Sequence, residues 1–124
     1  NIVDDSEIDN DVRIAIEYNI PLTSKRVDFI ISGSDLEGKD NVVIVELKQW
    51  QKAEKVDDSM HYSVRTYVGN NNRIVCHPSY QAYSYKSLIL NYCDKVNLPE
   101  NCINPCAYLH NMKEEYRPVL EDAI

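Results

Sequence analysis

The alternation of apolar and polar residues along the first half of the chain predicts three β-strands. Strand side chains point alternately to the two faces of a sheet, so short alternating runs between turn-forming residues are typical of strands. Such runs cover residues 12–19, 26–32 and 42–49. The third run is almost wholly apolar up to Glu46, which indicates a central strand that is covered on both faces.

The second half of the chain predicts a further hairpin, one long helix and a short last strand. A Gly-Asn-Asn-Asn turn separates residues 63–68 from residues 73–76, a pattern typical of a β-hairpin. The following His-Pro-Ser sequence predicts a helix from about Ser79 to Cys93, because proline is tolerated in the first helical turn. The remaining segments are predicted to be two loops, a short strand and a helical or frayed end, at residues 51–60, 94–105, 107–109 and 111–124.

The turn between the second and third predicted strands sets their register. If this hairpin is symmetric about Glu37, Asp28 lies opposite Glu46, and Arg26 lies opposite Lys48. The two acids and the lysine then share one face of the sheet, at the end remote from the turn. The sequence therefore predicts a polar cluster carried by two adjacent strands.

The turn of the first hairpin places Glu17 beside this cluster. If that hairpin is centred between Leu22 and Thr23, Glu17 lies opposite Asp28. The other face of the strands is then apolar throughout, and we expect it to form the core. The residues of that face are Ile14, Ile16, Tyr18, Val27, Phe29, Ile31, Val43, Val45 and Leu47.

Composition indicates one globular domain rather than a disordered chain. The 124 residues are 44% hydrophobic and 27% charged, which suffices for one core. Acidic residues crowd residues 1–11, so we expect an acidic lead-in followed by a single domain over residues 12–124. The sequence lacks an initiator Met, a signal-like segment and an apolar run long enough to cross a bilayer. We therefore expect a cytoplasmic fragment of a longer protein, with no membrane partner.

Net charge and the other motifs narrow the function classes. The net charge of −7 argues against a free-standing nucleic-acid binder, although metal-binding carboxylates count as negative until the ion binds.

The four cysteines form no dense framework, and we expect reduced thiols. Cys102, Cys106 and His110 are poorly spaced for one zinc ion, because Pro105 interrupts a helix there. A Walker-type loop and a nucleophile elbow are both absent from the sequence.

The candidate chemistry lies in Asp28, Glu46 and Lys48. Two carboxylates and an ammonium at one sheet edge can bind Mg²⁺ or Mn²⁺ and hold a polarised water beside a phosphodiester. The alternative is an exposed polar strand end, since an E-x-K triplet is common. Arg26 is either a surface partner of an acid or a phosphate contact. Glu17 is a candidate third metal carboxylate if the predicted register holds.

Gln81 and Tyr85 are candidate supporting residues on the predicted helix. They are four positions apart and share a helix face, which Leu88 or Ile89 and then Tyr92 continue. The alternative is an amphipathic helix whose tyrosines pack at its edge. A glutamine at the head of such a stripe is unusual for packing alone, because a buried amide needs hydrogen-bond partners.

These residues together carry a family resemblance. R-V-D-F-I-I, V-I-V-E-L-K-Q-W and Q-A-Y-S-Y resemble the D…E-x-K…Q-x-x-x-Y series of the PD-(D/E)XK nuclease superfamily, in its exonuclease-like branch. Longer phrases, among them I-E-Y-N-I-P-L-T-S-K-R-V-D-F-I-I-S-G and H-P-S-Y-Q-A-Y-S-Y, resemble the N-terminal region of bacterial proteins that pair this domain with a P-loop ATPase or helicase-like domain. The resemblance covers nearly everything from about Ile14 to Asn111.

The resemblance implies a fold and roles for the candidate residues. The fold would be α/β, a restriction-endonuclease-like mixed central β-sheet flanked by helices. Asp28 and Glu46 would be metal ligands, and Lys48 would orient the water or stabilise developing charge. Gln81 and Tyr85 would support the site and contact the nucleic acid. The proline that precedes the first acid in the family's pattern is replaced by Val27, and the family's ATPase region and helical lead-in do not occur in this sequence.

The leading interpretation is therefore a Mg²⁺- or Mn²⁺-dependent nuclease domain that hydrolyses phosphodiester bonds, with DNA as substrate, and is coupled to a fused ATPase/helicase-like domain. The alternative is a catalytically inactive nuclease-fold module that binds nucleic acid or a protein partner. A third interpretation, an interaction domain without a nucleic-acid role, is favoured only by the acidic charge.

Overall fold

The computed structural model describes residues 11–92 and 99–124, which form a mixed α/β structure. In chain order the strands and helices are β1 (Arg13–Asn19), β2 (Arg26–Ser34), β3 (Asp40–Lys48), β4 (Ser63–Val68), β5 (Asn71–Cys76), α1 (Pro78–Tyr92), β6 (Ile103–Leu109) and α2 (Arg117–Asp122). Short 3₁₀ turns precede β6 and α2, at Glu100–Cys102 and Glu114–Tyr116.

The main sheet has four strands in the order β1-β2-β3-β6. Strand β2 is antiparallel to both β1 and β3, and β6 pairs with β3 in parallel. A parallel return needs a crossover connection, and α1 lies within that crossover and packs on β3 and β6. Strands β4 and β5 form a separate antiparallel hairpin. A mixed central sheet with a packed helix confirms the α/β part of the predicted fold.

Both predicted hairpin registers are confirmed where the strands pair, but the predicted pairs Asp28–Glu46, Arg26–Lys48 and Glu17–Asp28 are not among the paired residues of these strands. In β2 and β3, Phe29 pairs with Val45 and Ser34 with Asp40, which is the register centred on Glu37. In β1 and β2, the pairs are likewise centred between the predicted turn residues. These registers follow from turn position and hydrophobic pattern, which are local properties of the sequence.

The prediction of which face forms the core is wrong for most of the sheet, although Val27 is fully buried and Tyr18 packs against the core as predicted. Helix α1 covers the face that carries Ile44 and Glu46, whereas Ile16 on the predicted core face is 71% exposed and Leu47 is 43% exposed. Val42 and Ile44 make the acid-bearing face apolar as well, so alternation alone could not show which face the helix would cover. The buried core cluster is Ile20, Val27, Ile44, Tyr85, Ile89 and Ile103.

Side-chain alternation reverses where Glu17 and Asp28 lie. Ile16 is exposed, yet Tyr18 packs against the core, although both would share a face in a regular strand. In the same way Val27 and Ile30, three residues apart, both contact the core. Glu17 has a φ of 53°, in the left-handed region that L-residues with side chains rarely adopt. The reversal turns Val27 into the core.

The remaining elements differ modestly from the predictions. Helix α1 begins one residue before the predicted start, and its predicted last residue, Cys93, lies outside the described residues. The last strand is longer than predicted, because residues 103–105 join it rather than the preceding loop. Pro105 is compatible with this strand because β6 is at the edge of the sheet.

The acidic lead-in lies outside the described residues except for residue 11. Within the described ranges, no helix is long and apolar enough to cross a membrane.

Candidate metal and catalytic site

Glu46 is a buried carboxylate in the central strand. It is 3% exposed, because β3 is flanked by two strands and covered by α1 on this face. Its Oε1 lies 2.7 Å from Nζ of Lys48. Its Oε2 is buried and has no hydrogen-bond partner among the described residues. A buried carboxylate oxygen without a partner is costly, so this atom marks a place where a cation or a water would be stabilising.

Burial and neighbouring charges together shift the ionisation of Glu46. Loss of hydration raises the pKa of its carboxyl, since burial disfavours the charged form. The ion pair with Lys48 opposes this shift, and the carboxylate of Asp28 adds to it. Asp28 therefore lies close enough to Glu46 for the like charges to repel.

Lys48 lies two residues after Glu46 and on the same strand face. Its side chain is 21% exposed, so one end of the ion pair reaches solvent. The ammonium also lies 5.6 Å from the ring centroid of Trp50, which is 7% exposed. A cation over an aromatic ring is attracted to its π face. These two contacts hold Lys48 at the rim of the acidic site.

Asp28 reaches the site from β2. Pairing of β2 with β3 ends at Phe29, and beyond it Oδ2 of Asp28 accepts a hydrogen bond of 2.9 Å from the backbone N–H of Leu47. The Asp28 carboxylate thus takes the place of the backbone carbonyl that would accept this hydrogen bond if the two strands still paired here. This bond fixes the carboxylate beside Glu46. The structure therefore brings the predicted trio Asp28, Glu46 and Lys48 together.

Helix α1 contributes Tyr85 and Gln81. Tyr85 is 6% exposed, and its hydroxyl accepts a hydrogen bond of 2.7 Å from Nε2 of Gln81. Burial raises the pKa of the Tyr85 phenol, and the Gln81 bond opposes the shift. The charges of Glu46, Lys48 and Asp28 also act on this pKa, so the phenol lies within electrostatic reach of all three. The hydrogen-bond partner that the Gln81 amide needs is therefore Tyr85, which lies on the same face of α1.

Arg26 and Glu17 form a separate surface pair. The guanidinium of Arg26 lies 3.9 Å from the Glu17 carboxylate, and their side chains are 56% and 65% exposed. Of the two alternatives for Arg26, the structure shows the contact with an acid. Residues 11–92 and 99–124 contain no group of three His, Cys, Asp or Glu side chains that could hold a metal ion. Glu17 thus does not complete a three-acid set with Asp28 and Glu46 in this arrangement.

Sequence reasoning missed the approach of Cys76 to the site. This residue ends β5, and its thiol is influenced by the charges of both Lys48 and Glu46. Cys76 is exposed overall, but partial loss of hydration raises the pKa of its thiol, while Lys48 lowers it and Glu46 raises it. Nothing in the local sequence signals this proximity, because it depends on how the β4–β5 hairpin docks against the main sheet.

His77 has the capping role that its place before Pro78 suggests. Its Nδ1 accepts a hydrogen bond of 3.1 Å from the N–H of Ser79 in the first turn of α1. Its Nε2 then carries the proton and donates to the carbonyl of Leu120 over 2.9 Å. Burial lowers the pKa of the imidazole, and the Leu120 carbonyl partly opposes this. His77 therefore joins the start of α1 to α2.

The donor set of this site fits a small divalent cation. Carboxylate oxygens are the ligands that Mg²⁺ and Mn²⁺ prefer, and Mg²⁺ is commonly held by one or two carboxylates with the remaining positions filled by water or phosphate. The unpartnered Oε2 of Glu46 beside the carboxylate of Asp28 supplies such ligands. A cation there would also relieve the repulsion between the two acids.

Comparisons of this chain with models of protein families, with curated proteins and with solved structures found no match.

Proposed function

We propose that this domain is a metal-dependent nuclease that hydrolyses phosphodiester bonds, with DNA as its substrate. The observation that carries the proposal is the Glu46 carboxylate, which is almost fully buried and has one oxygen without a partner, beside Asp28 and Lys48. A second carboxylate beside a buried one is unfavourable unless a cation or a proton compensates the charges. The mixed sheet is compatible with a restriction-endonuclease-like fold.

Each residue of the trio has a distinct role in this proposal. Asp28 and Glu46 would hold Mg²⁺ or Mn²⁺, which when bound polarises a phosphate oxygen and lowers the pKa of water. Lys48 has further N–H donors besides the one directed at Glu46 and is partly open to solvent. It would orient the attacking water or stabilise charge on the phosphate. Gln81 and Tyr85 would support the site from α1.

We also propose the wider setting that the family resemblance implies. The full protein would join this domain to an ATPase/helicase-like domain and act on DNA in the cytoplasm. ATP-driven movement along the nucleic acid would then supply substrate to the site. The support for this setting is the residue series named above.

One observation favours the alternative, an inactive nuclease-fold module that binds nucleic acid or a protein. Asp28 already accepts a backbone hydrogen bond, and Glu46 is already paired with Lys48. These contacts partly compensate both acids without a metal ion. A site of this kind could persist as a structural remnant after catalysis was lost.

Hydrolysis measured with matched variants tests the proposal. The full natural protein is incubated with end-labelled linear DNA, single-stranded or duplex, and with RNA, in the presence of Mg²⁺ and ATP. We expect cleavage by the wild type and its loss in Glu46→Gln, which removes the charge but preserves the shape. Glu17→Gln, which removes an exposed carboxylate outside the trio, is the control and should cleave normally. Cleavage by Glu46→Gln at the wild-type rate would reject the site, and no cleavage by the wild type on any substrate would support the inactive module.

A further inference from the structure

A concave site lies directly after the end of β3. A cleft of about 510 Å³ is lined by Gln49, Gln51, Lys52, Tyr67, Lys113 and Tyr116. Its volume falls within the range of about 300–1,000 Å³ that is usual for ligand clefts. Gln49 follows Lys48 immediately in the chain, so the cleft begins one residue beyond the proposed catalytic trio.

The cleft is held in shape by hydrogen bonds from two sides. On one side the hydroxyl of Thr66 in β4 donates to the carbonyl of Lys52 over 2.7 Å. On the other side the backbone N–H of Lys113 donates to the carbonyl of Gln51 over 3.2 Å. The segment that forms the floor is thereby fixed between β4 and the C-terminal part of the chain. Because these bonds lie within the chain, the cleft keeps its shape without a ligand.

The chemistry of the lining is cationic and aromatic. It contains two lysines and no acidic residue, although the whole chain has a net charge of −7. Within residues 11–92 and 99–124, neither Lys52 nor Lys113 forms an ion pair. Tyr67 is 54% exposed, and its ring is therefore open to a stacking partner. Two ammonium groups that form no ion pair with any described residue, beside an exposed ring, give this acidic protein a local surface suited to an anion with planar groups.

We infer that this cleft binds a single-stranded segment of nucleic acid. Lys52 and Lys113 would neutralise backbone phosphates, Tyr67 would stack on an unpaired base, and the glutamine amides would bond to base or sugar. A lysine-lined groove with exposed aromatic rings is the arrangement that binds single strands without strong sequence preference. Paired bases stack on each other and leave no face for Tyr67, so the chemistry favours a single strand over a duplex. Cleavage of the bound strand rests on the proposed function, whereas binding of the strand does not.

Binding is measured without divalent metal, so that it is independent of cleavage. The full protein is titrated into a fluorescent oligothymidylate of about ten nucleotides, within the usual site sizes for such grooves, and anisotropy is recorded at several salt concentrations. The Lys52→Ala, Lys113→Ala double variant should bind weakly, and the slope of log affinity against log salt should fall by about 1.4 in magnitude. The Lys25→Ala, Lys39→Ala variant removes the same charge from the two hairpin turns and should bind like the wild type.

The aromatic part of the inference has its own variants. Tyr67→Ala should weaken binding about tenfold, and Tyr67→Phe, which keeps the ring, should not. Thermal unfolding of each variant shows whether the fold is intact. Wild-type affinity in the Lys52/Lys113 double variant, or equal affinity for oligothymidylate and for the duplex it forms with oligodeoxyadenylate, would overturn the inference. If the cleft variants lose binding but the wild type cleaves nothing, the cleft stands and the nuclease proposal fails.

Discussion

The carboxylate of Glu46 and the ammonium of Lys48 are 2.7 Å apart on one face of β3, yet the second oxygen of Glu46 has no partner in the described part of the chain. One cation on one side of the carboxylate leaves the other side uncompensated. Asp28, on the neighbouring strand, adds a second negative charge instead of relieving the first. A divalent cation bound between the two carboxylates would therefore stabilise the site.

Metal binding should stabilise the fold through Glu46 and Asp28. A ligand that binds only the native state adds about 2.7 kcal/mol to the free energy of unfolding at one hundred times its Kd. We expect the melting temperature of the wild type to rise with Mn²⁺ concentration, and that of the Asp28→Ala, Glu46→Ala variant to stay constant. Glu17→Gln is the control and should respond like the wild type. The site assignment is wrong if the double variant responds to Mn²⁺ as strongly as the wild type.

Metal affinity should depend on pH through Glu46. Its pKa is raised above the usual 4.5, so the protein must release a proton from this carboxyl before it can act as a ligand. In the metal-free protein, stability from this group decreases as pH rises from 4.5 towards the folded-state pKa, because the folded state binds the proton more tightly. Metal affinity should change in the opposite direction and increase with pH over that window. Calorimetric titrations at several pH values measure both the affinity and the protons released.

Protonation of His77 should destabilise the fold in weak acid. Its pKa is lowered from 6.5 by burial, so the unfolded state binds the proton more tightly, and stability is lost as pH falls from 6.5 through the folded-state pKa. Protonation also removes the Nδ1 acceptor that caps α1. His77→Asn keeps a capping acceptor and should lose this pH dependence, at a cost of about 1 kcal/mol for the contact with α2. Urea unfolding across this pH range measures the effect.

His61→Asn is the matched control for this experiment, since His61 is exposed. It should unfold with the same pH dependence as the wild type. A His77→Asn variant that retains the full acid destabilisation would show that another group is responsible.

Lys48 should matter for turnover more than for folding or metal capture. Lys48→Ala should keep the fold and most of the metal affinity, because the two acids remain, but lose about 10²–10³-fold in cleavage rate if the ammonium stabilises developing charge. Lys48→Arg should restore little, since a planar guanidinium differs in shape from a point charge. Both are measured with the hydrolysis assay and with Mn²⁺-dependent melting. Unchanged cleavage by Lys48→Ala would falsify the catalytic role.

The Gln81–Tyr85 bond should contribute measurably to stability. Tyr85→Phe removes the acceptor of the Gln81 amide and should cost about 1 kcal/mol in the free energy of unfolding, because the hydroxyl is buried. Tyr83→Phe is the matched control on the same helix, where the ring is 51% exposed, and should change stability little. Equal effects of the two substitutions would show that the bond is not specific.

Strands β1 to β5, the two hairpin registers and helix α1 were predictable because each depends on local information. Turn residues and apolar alternation over a few positions determine which residues of β1, β2 and β3 pair. That pairing ends at Phe29 and brings Asp28 next to β3, so the grouping of Asp28, Glu46 and Lys48 could be derived from the sequence. The hydrogen bond from the N–H of Leu47 that holds the Asp28 carboxylate beside Glu46 could not.

Only the tertiary structure decided which face of the sheet is buried. Both faces of β3 carry apolar residues, and the choice depends on where the crossover through α1 places its apolar side. That choice buries Glu46 and brings Tyr85 to it. The reversal of side-chain direction at Glu17, with its positive φ, removes this residue from the acids it was predicted to join.

The approach of Cys76 and the Lys52–Lys113 cleft also required the tertiary structure. Each unites residues that are far apart in the chain and separated by loops, and no periodic pattern encodes such contacts. Alternation and turns specify neighbours along and across a hairpin, whereas the docking of one element on another is set by the shapes and volumes of whole packed surfaces.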